Sequence, residues 1–115
     1  MPLAPALRGQ LIRAEPDVYL LGDHGELEAI HSILLMTLSP YFHTVLDCCE
    51  GKPIRIHGAD SEVLEFIKEY AYEGKITGLS RENIEKVQRV SDMYNIMGIL
   101  NECQLFIKNT NIQER

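Results

Sequence analysis

The chain holds only three cysteines, Cys48, Cys49 and Cys103, in 115 residues. The number is odd, and two of them are neighbours, a spacing whose short ring strains disulfide geometry. That excludes a disulfide framework, and free thiols point to a reducing compartment, cytoplasmic or nuclear. Long hydrophobic runs are missing too. The longest, Ile33-Leu34-Leu35-Met36, falls far short of a bilayer span. The start, Met1-Pro2-Leu3-Ala4-Pro5-Ala6-Leu7, has no charged lead and a proline-broken apolar stretch, unlike a signal peptide. Positive charge is scarce, with 11 Lys and Arg against 17 Asp and Glu for a net charge of −6. Residues 1–14 carry +2, residues 15–75 carry −8, and residues 76–115 carry zero. Without a dense basic stripe, direct nucleic-acid binding and docking on an anionic membrane are excluded as functions. Gly22, Gly25, Gly74, Gly78 and Gly98 never fall into a G-x-G-x-x-G or P-loop pattern, so a nucleotide site has no support. Internal repeats and low-complexity stretches are absent.

What remains is ordinary globular composition, 45% hydrophobic and 24% charged, in a length that suits one domain of about 100–150 residues. Residues 1–14 read as an arm, in which Leu11 and Ile12 offer an edge strand for exchange in a dimer. Val18-Tyr19-Leu20-Leu21, the turn residues Gly22-Asp23-His24-Gly25 and the alternating Glu26–Ile30 predict an antiparallel hairpin with Leu27 and Ala29 turned inward. Residues 32–38 predict a short helix, apolar on nearly every side, that must be enclosed or covered by a partner. Ser39 is expected to cap a second helix from Pro40 to about Cys48. Gly51-Lys52-Pro53 ends it, and Ile54–His57 alternates as a third strand.

Asp60 or Ser61 is expected to cap the next helix. Its inner face is Val63, Leu64, Phe66, Ile67, Tyr70 and Ala71, its wet face Glu62, Glu65, Lys68 and Glu69, and its end Gly74. Ser80 is expected to cap a helix with Ile84, Val87, Val90 and Tyr94 inward. Gly98 is read as an interruption before a last helix carrying Ile99, Leu100, Cys103, Phe106 and Ile107. Hairpin, helix pair, strand and helices make an α+β layout, a small mainly antiparallel sheet flanked by helical hairpins.

Candidate chemistry is thin. His43, Cys48, Cys49 and His57 lack the C-x-x-C and H-x-x-x-H spacing of structural zinc sites, and adjacent cysteines chelate one ion poorly. They read as ordinary thiols and imidazoles, so no metal and no cofactor are expected. Neither Cys48 nor Cys49 has an evident base and orienting group, as a nucleophile needs. Glu62, Glu65, Glu69 and Glu73 form a solvated helix face. His31, opening an apolar helix, reads as a hydrogen-bonded structural residue. No catalytic residue is assigned.

Asp17-Val18 at the first strand, Ala29-Ile30-His31-Ser32-Ile33-Leu34, then Ser39-Pro40-Tyr41-Phe42, resemble the opening of the BTB/POZ domain, with its D-V pair, A-H-K-x-x-L segment and S-x-Y-F. The likeness continues through Phe66, Tyr70 and Ala71-Tyr72-Glu73-Gly74-Lys75, near the family's F-x-Y-T-G-K. It then runs through Leu79–Ile84 to Gly98-Ile99-Leu100, Cys103 and Phe106, covering residues 15–109 and leaving 110–115 as a tail towards downstream domains. Asp17, His31, Tyr41, Phe42 and Gly74 stand as its structural motif positions. Glu102–Ile107 is closest to the kelch-like kind.

The resemblance implies a non-catalytic protein-interaction module. Its members dimerise through the first helix, which places Leu11, Ile12, Ile33, Leu34 and Met36 at a homodimer interface. Kelch-like members act as ubiquitin ligase adaptors that hold a cullin scaffold, which assigns Cys48, Cys49, Glu50 and Tyr72 to cullin binding. Zinc-finger members recruit corepressors instead, the alternative function. Two departures matter. Ser32 replaces a Lys or Arg that pairs with the acidic residue here numbered Asp17, so that pairing is expected to be lost and Asp17→Asn to cost little. Cys48-Cys49-Glu50 stands where cullin binders carry a large apolar anchor two residues before Glu.

Overall fold

The computed structural model describes residues 15–48 and 50–110. The expected arm strand around Leu11 and Ile12 lies outside them, as does Cys49. Val18–Leu21 (β1) and Leu27–Ile30 (β2) pair antiparallel, with Val18 opposite Ile30 and Leu21 opposite Leu27. Val18, Leu20 and Ile30 point into the core, while Leu27 is 56% exposed. The inward face of β2 is therefore Glu28 and Ile30, not the expected Leu27 and Ala29. Alternation defines two faces without saying which is inner, and the register aligns Ile30 with buried Val18. Glu28, on that inner face, satisfies its charge at the margin by pairing with Lys68 at 3.1 Å.

Two helices, Ser32–Met36 (α1) and Pro40–Cys48 (α2), then carry the chain across to Ile54–Arg55 (β3). They bring it to the free edge of β1, where β3 runs opposite to β2 and so parallel to β1, with Leu20 opposite Ile54. The sheet has order β2-β1-β3, with one antiparallel and one parallel pair. Ser39 does not cap α2 through its side chain. Its hydroxyl is buried and has no hydrogen-bond partner among the described residues.

Ser61–Glu73 forms α3, with the Asp60 carboxylate accepting from the Val63 N–H at 3.0 Å and Gly74 closing the end at φ +76°. The next helix, Ile84–Met93 (α4), starts later than its expected Ser80 cap. Asn83 stands at the N-cap without a side-chain bond to the helix; its amide instead pins the preceding turn, accepting from the Ser80 N–H at 2.9 Å and donating to the Gly78 carbonyl at 3.1 Å. Gly98 lies inside the last helix, Met97–Thr110 (α5), rather than interrupting it. The break falls at Asn95, φ +59°. Gly98 is needed for another reason, since a Cβ there would overlap the Tyr70 phenol. One core joins all of this, with Phe42 of α2 stacked on Tyr94 at 6.1 Å and the Tyr94 hydroxyl accepting from the His57 N–H at 2.7 Å.

Candidate interaction surface

Helix α1 is built by a contact from the start of β1. Asp17 accepts two hydrogen bonds from Ser32, one from its N–H at 2.7 Å and one from its hydroxyl at 2.6 Å. The Asp17 carboxylate thus does the work of an N-cap from another element. Burial pushes its carboxyl up, but the bonds from the Ser32 hydroxyl and N–H outweigh that and hold it below its ordinary value. Among the described residues no Lys or Arg pairs with Asp17, and in place of the missing charge pair Ser32 supplies a hydrogen-bonded one. Asp17→Ala is expected to cost about 1 kcal/mol, a typical capping loss. A carboxyl held low contributes stability above its unfolded pKa and loses it as pH falls through the folded one. Urea titrations of both chains should therefore differ at pH 7 and draw together as pH falls below the ordinary carboxylate range.

Along α1, Leu34 and Leu35 enter the core at 1% and 0% exposure, whereas Ile33 and Met36 remain 48% and 39% exposed. Positions three apart share a helix face, so Ile33 and Met36 form one outward pair. Leu34, expected at the dimer interface, is corrected to a core residue, because the adjacent positions 34 and 35 take the inward side of so short a helix.

His31, immediately before α1, is buried, and its N–H donates to the Tyr72 hydroxyl at 3.2 Å. The His31 ring also meets that hydroxyl through Nδ1, with the two rings edge-on at 5.7 Å. The end of α3 is thereby tied to the start of α1. The Tyr72 hydroxyl is committed inward, leaving the half-buried ring as its outer contribution. Cys48 ends α2 with its thiol exposed, and Glu50 follows at φ +50° and Gly51 at φ +81° in an outward turn. Tyr41 is partly exposed while packing on Phe42 and, at 5.0 Å, on Tyr94.

Two hollows flank α1. A small one of about 200 Å³ is lined by Asp17, Val18, Ser32, Met36, Leu46 and Gly51. A wider groove of about 650 Å³ runs between the α1–α2 junction and the start of α5, lined by Met36, Leu38, Ser39, His43 and Met97 among others. Met97, missed by sequence reasoning, is 54% exposed. Its one signal was position, an apolar residue off the inward stripe of the last helix. Among the described residues no three His, Cys, Asp or Glu side chains converge as metal ligands. Burial pushes the Cys103 thiol up to about 11, far from a reactive thiolate. No helix among the described residues is long and apolar enough to cross a membrane.

Comparison with known proteins gives this surface its context. A family model described as the BTB/POZ domain matches residues 10–111. Kelch repeat and BTB domain-containing protein 8 of Danio rerio is 26% identical over 95 residues, 79% of this chain and 16% of that protein. Kelch repeat and BTB domain-containing protein 4 of Homo sapiens is 25% identical over 85 residues, 70% of this chain and again 16% of the relative. The chain thus spans a small part of the length of the curated relatives it matches. Among solved structures, the BTB domain of zebrafish PATZ1 superposes with a TM-score of 0.71 and 26% identity, covering 90% of this chain and 86% of that one. The BTB (Tramtrack and Bric a brac) domain of human gigaxonin gives 0.70 and 25%, covering 92% and 96%.

Proposed function

Because the chain belongs to the BTB/POZ domain family, whose domains are protein-interaction modules, we propose that it homodimerises and acts as an adaptor for a cullin-type E3 ubiquitin ligase, in the cytoplasm or the nucleus. The observation that carries the dimer is the outward pair Ile33 and Met36, large apolar side chains left 48% and 39% exposed on α1. A contiguous apolar face on a small domain is the usual mark of a protein partner. A stable interface buries more than about 1,000 Å², so Ile33 and Met36 need help. Leu11 and Ile12 of the arm are proposed to supply it.

The kelch-repeat relatives support the cullin arm of the reading. Cys48, Cys49, Glu50 and the Tyr72 ring are the proposed contacts. Glu50 and Cys48 are both exposed on the turn that ends α2, open to a partner. A thiol fills an apolar pocket less well than Met or Phe, and each missing CH₂ costs about 0.8 kcal/mol. Two or three missing groups amount to about 2 kcal/mol, or roughly thirty-fold in affinity. Calorimetry against a cullin N-terminal domain is therefore expected to show weak binding that Cys48→Met tightens. Binding by neither protein ends the adaptor reading; equal binding by both removes Cys48 as the anchor. Light scattering of the purified chain tests the dimer, and a monomer at tens of micromolar ends it.

One observation favours the corepressor alternative. The wider groove combines Met36 and Met97 with the Ser39 hydroxyl, 5% exposed and without a partner among the described residues. That hydroxyl lies just beneath the groove surface, and a peptide group that displaces the rim to reach it would recover the free energy an unpaired buried hydroxyl costs. A corepressor-derived peptide that binds the chain and loses affinity with Ser39→Ala would support this reading over the cullin one.

A further inference from the structure

The small hollow beside α1 holds one carboxylate, Asp17, which among the described residues feels the His31 imidazole but no lysine or arginine. Ser32 gives the Asp17 carboxylate two hydrogen bonds but no positive charge. Among the described residues no lysine or arginine pairs with Asp17, whereas Lys68 and Lys86 are both engaged with carboxylates elsewhere. Glu15, two residues away and exposed, adds to the same sign. A carboxylate offers about four acceptor sites, so the two bonds from Ser32 leave room for a cation. The remaining walls are Val18, Met36, Leu46 and Gly51. An acidic rim over apolar walls suits a guanidinium on an aliphatic stem, since arginine is weakly hydrated and buries its methylenes readily.

We infer that the dimer partner fills this hollow with Arg13, so that each copy's Asp17 pairs with Arg13 of the second copy. The inference rests on the homodimer reading and gives it a specific pairing. Three observations select this occupant. Met36 lines the hollow and is half of the outward apolar pair on α1, so the hollow is continuous with the proposed interface. In a twofold dimer both copies present the same patch, and Arg13 stands four residues before Asp17, within about 13–14 Å of extended chain. Residues 1–14 carry only positive charges, Arg8 and Arg13, while residues 15–75 carry a net −8. Ser32 stands where the resembling family carries a basic residue that pairs with the acid. Here the second chain supplies it.

The test uses Asp17→Lys and Arg13→Asp in the full chain, with dimer dissociation constants from sedimentation and circular dichroism to confirm folding. Either variant alone sets like charges together at both sites of its homodimer and is expected to weaken it at least tenfold. Mixed in equal amounts, the two variants join opposite charges at both sites, and a heterodimer should form with affinity near that of the unaltered chain. Asp17→Lys also removes the acceptor of Ser32. If it does not fold, Arg13→Asp alone must still weaken the dimer tenfold, and the unaltered dimer must loosen as salt rises. Single variants that dimerise normally overturn the pairing and leave the dimer standing. So does a mixture that fails to recover, because a pairing within one chain is not repaired by a second. A monomeric unaltered chain overturns the dimer reading itself.

Discussion

A chain carrying Ile33→Asp together with Met36→Asp is expected to be monomeric at tens of micromolar and to melt within a few degrees of the unaltered chain. Both side chains are about half exposed on α1, so the core loses little when they change. A twofold interface repeats every substitution, and the pair therefore removes four apolar contacts. Fully burying an Ile or Met is worth about 1.5–3 kcal/mol. Burying the exposed half gives about 1 kcal/mol each, or about 4 kcal/mol for the dimer. That is close to a thousand-fold in the dissociation constant, before any penalty for desolvating four carboxylates. Leu34→Ala is the contrasting control. Leu34 is in the core, so its truncation is expected to cost about 2–5 kcal/mol of stability whether or not the chain dimerises. Sedimentation velocity with a thermal melt separates the two. A double variant that dimerises as tightly as the unaltered chain would move the interface away from α1.

Where the sequence was legible, the signal was local. Asp60 and Gly74 bound α3 because a cap and a left-handed terminus act within one turn of the residues that form them. Where it was not, the deciding partner came from elsewhere in the chain. Gly98 reads as a helix breaker until Tyr70, 28 residues away in sequence, is laid across it. Ser80 has a fitting cap chemistry, but Asn83 reaches both Gly78 and Glu62 and so fixes the turn differently. The inward face of β2 was misread because Leu27 and Ile30 are equally apolar and only the register with β1 ranks them.

The candidate surface divides the same way. An apolar α1 was visible as a string of residues, but its split into Leu34 and Leu35 inside and Ile33 and Met36 outside required the core to be in place. Asp17 and Ser32 are 15 residues apart and meet because the hairpin returns the chain to the start of β1. Reasoning from the missing basic residue found the absent charge and missed the hydrogen bonds. His31 was read as structural without a partner in view, since Tyr72 lies 41 residues further on. The orphaned Ser39 hydroxyl had no sequence signal, because a serine before Pro40 reads as a cap.

Truncating Phe42 to Ala is expected to cost about 3–5 kcal/mol, the range for removing a buried aromatic ring. Phe42 is fully buried, stacked on Tyr94 at 6.1 Å with 14° between the planes and met edge-on by Tyr41 at 5.3 Å. Both neighbours are themselves tied. Tyr94 is held by the His57 N–H at 2.7 Å, and Tyr41 packs on Tyr94. The Tyr94 ring, fixed at its hydroxyl, cannot collapse into the space a lost phenyl leaves, so the cavity stays open and the cost sits high in the range. Domains are stable by about 5–15 kcal/mol in all, and a loss of this size leaves a substantial unfolded population on warming. Tyr94→Phe provides the scale. It keeps the stack and removes one hydrogen bond, for about 1 kcal/mol. The consequence reaches the surface, because α2 connects the α1 face to the Cys48 turn and both depend on its seating. Urea denaturation should move the midpoint of Phe42→Ala several times further than that of Tyr94→Phe, with similar slopes. A Phe42→Ala loss below about 1.5 kcal/mol, well under the aromatic range, would mean that Tyr41 and Tyr94 close the cavity. The aromatic cluster would then be a yielding part of the core, and the seating of α1 would rest on Leu34, Leu35 and the contacts of Asp17 with Ser32 and of His31 with Tyr72.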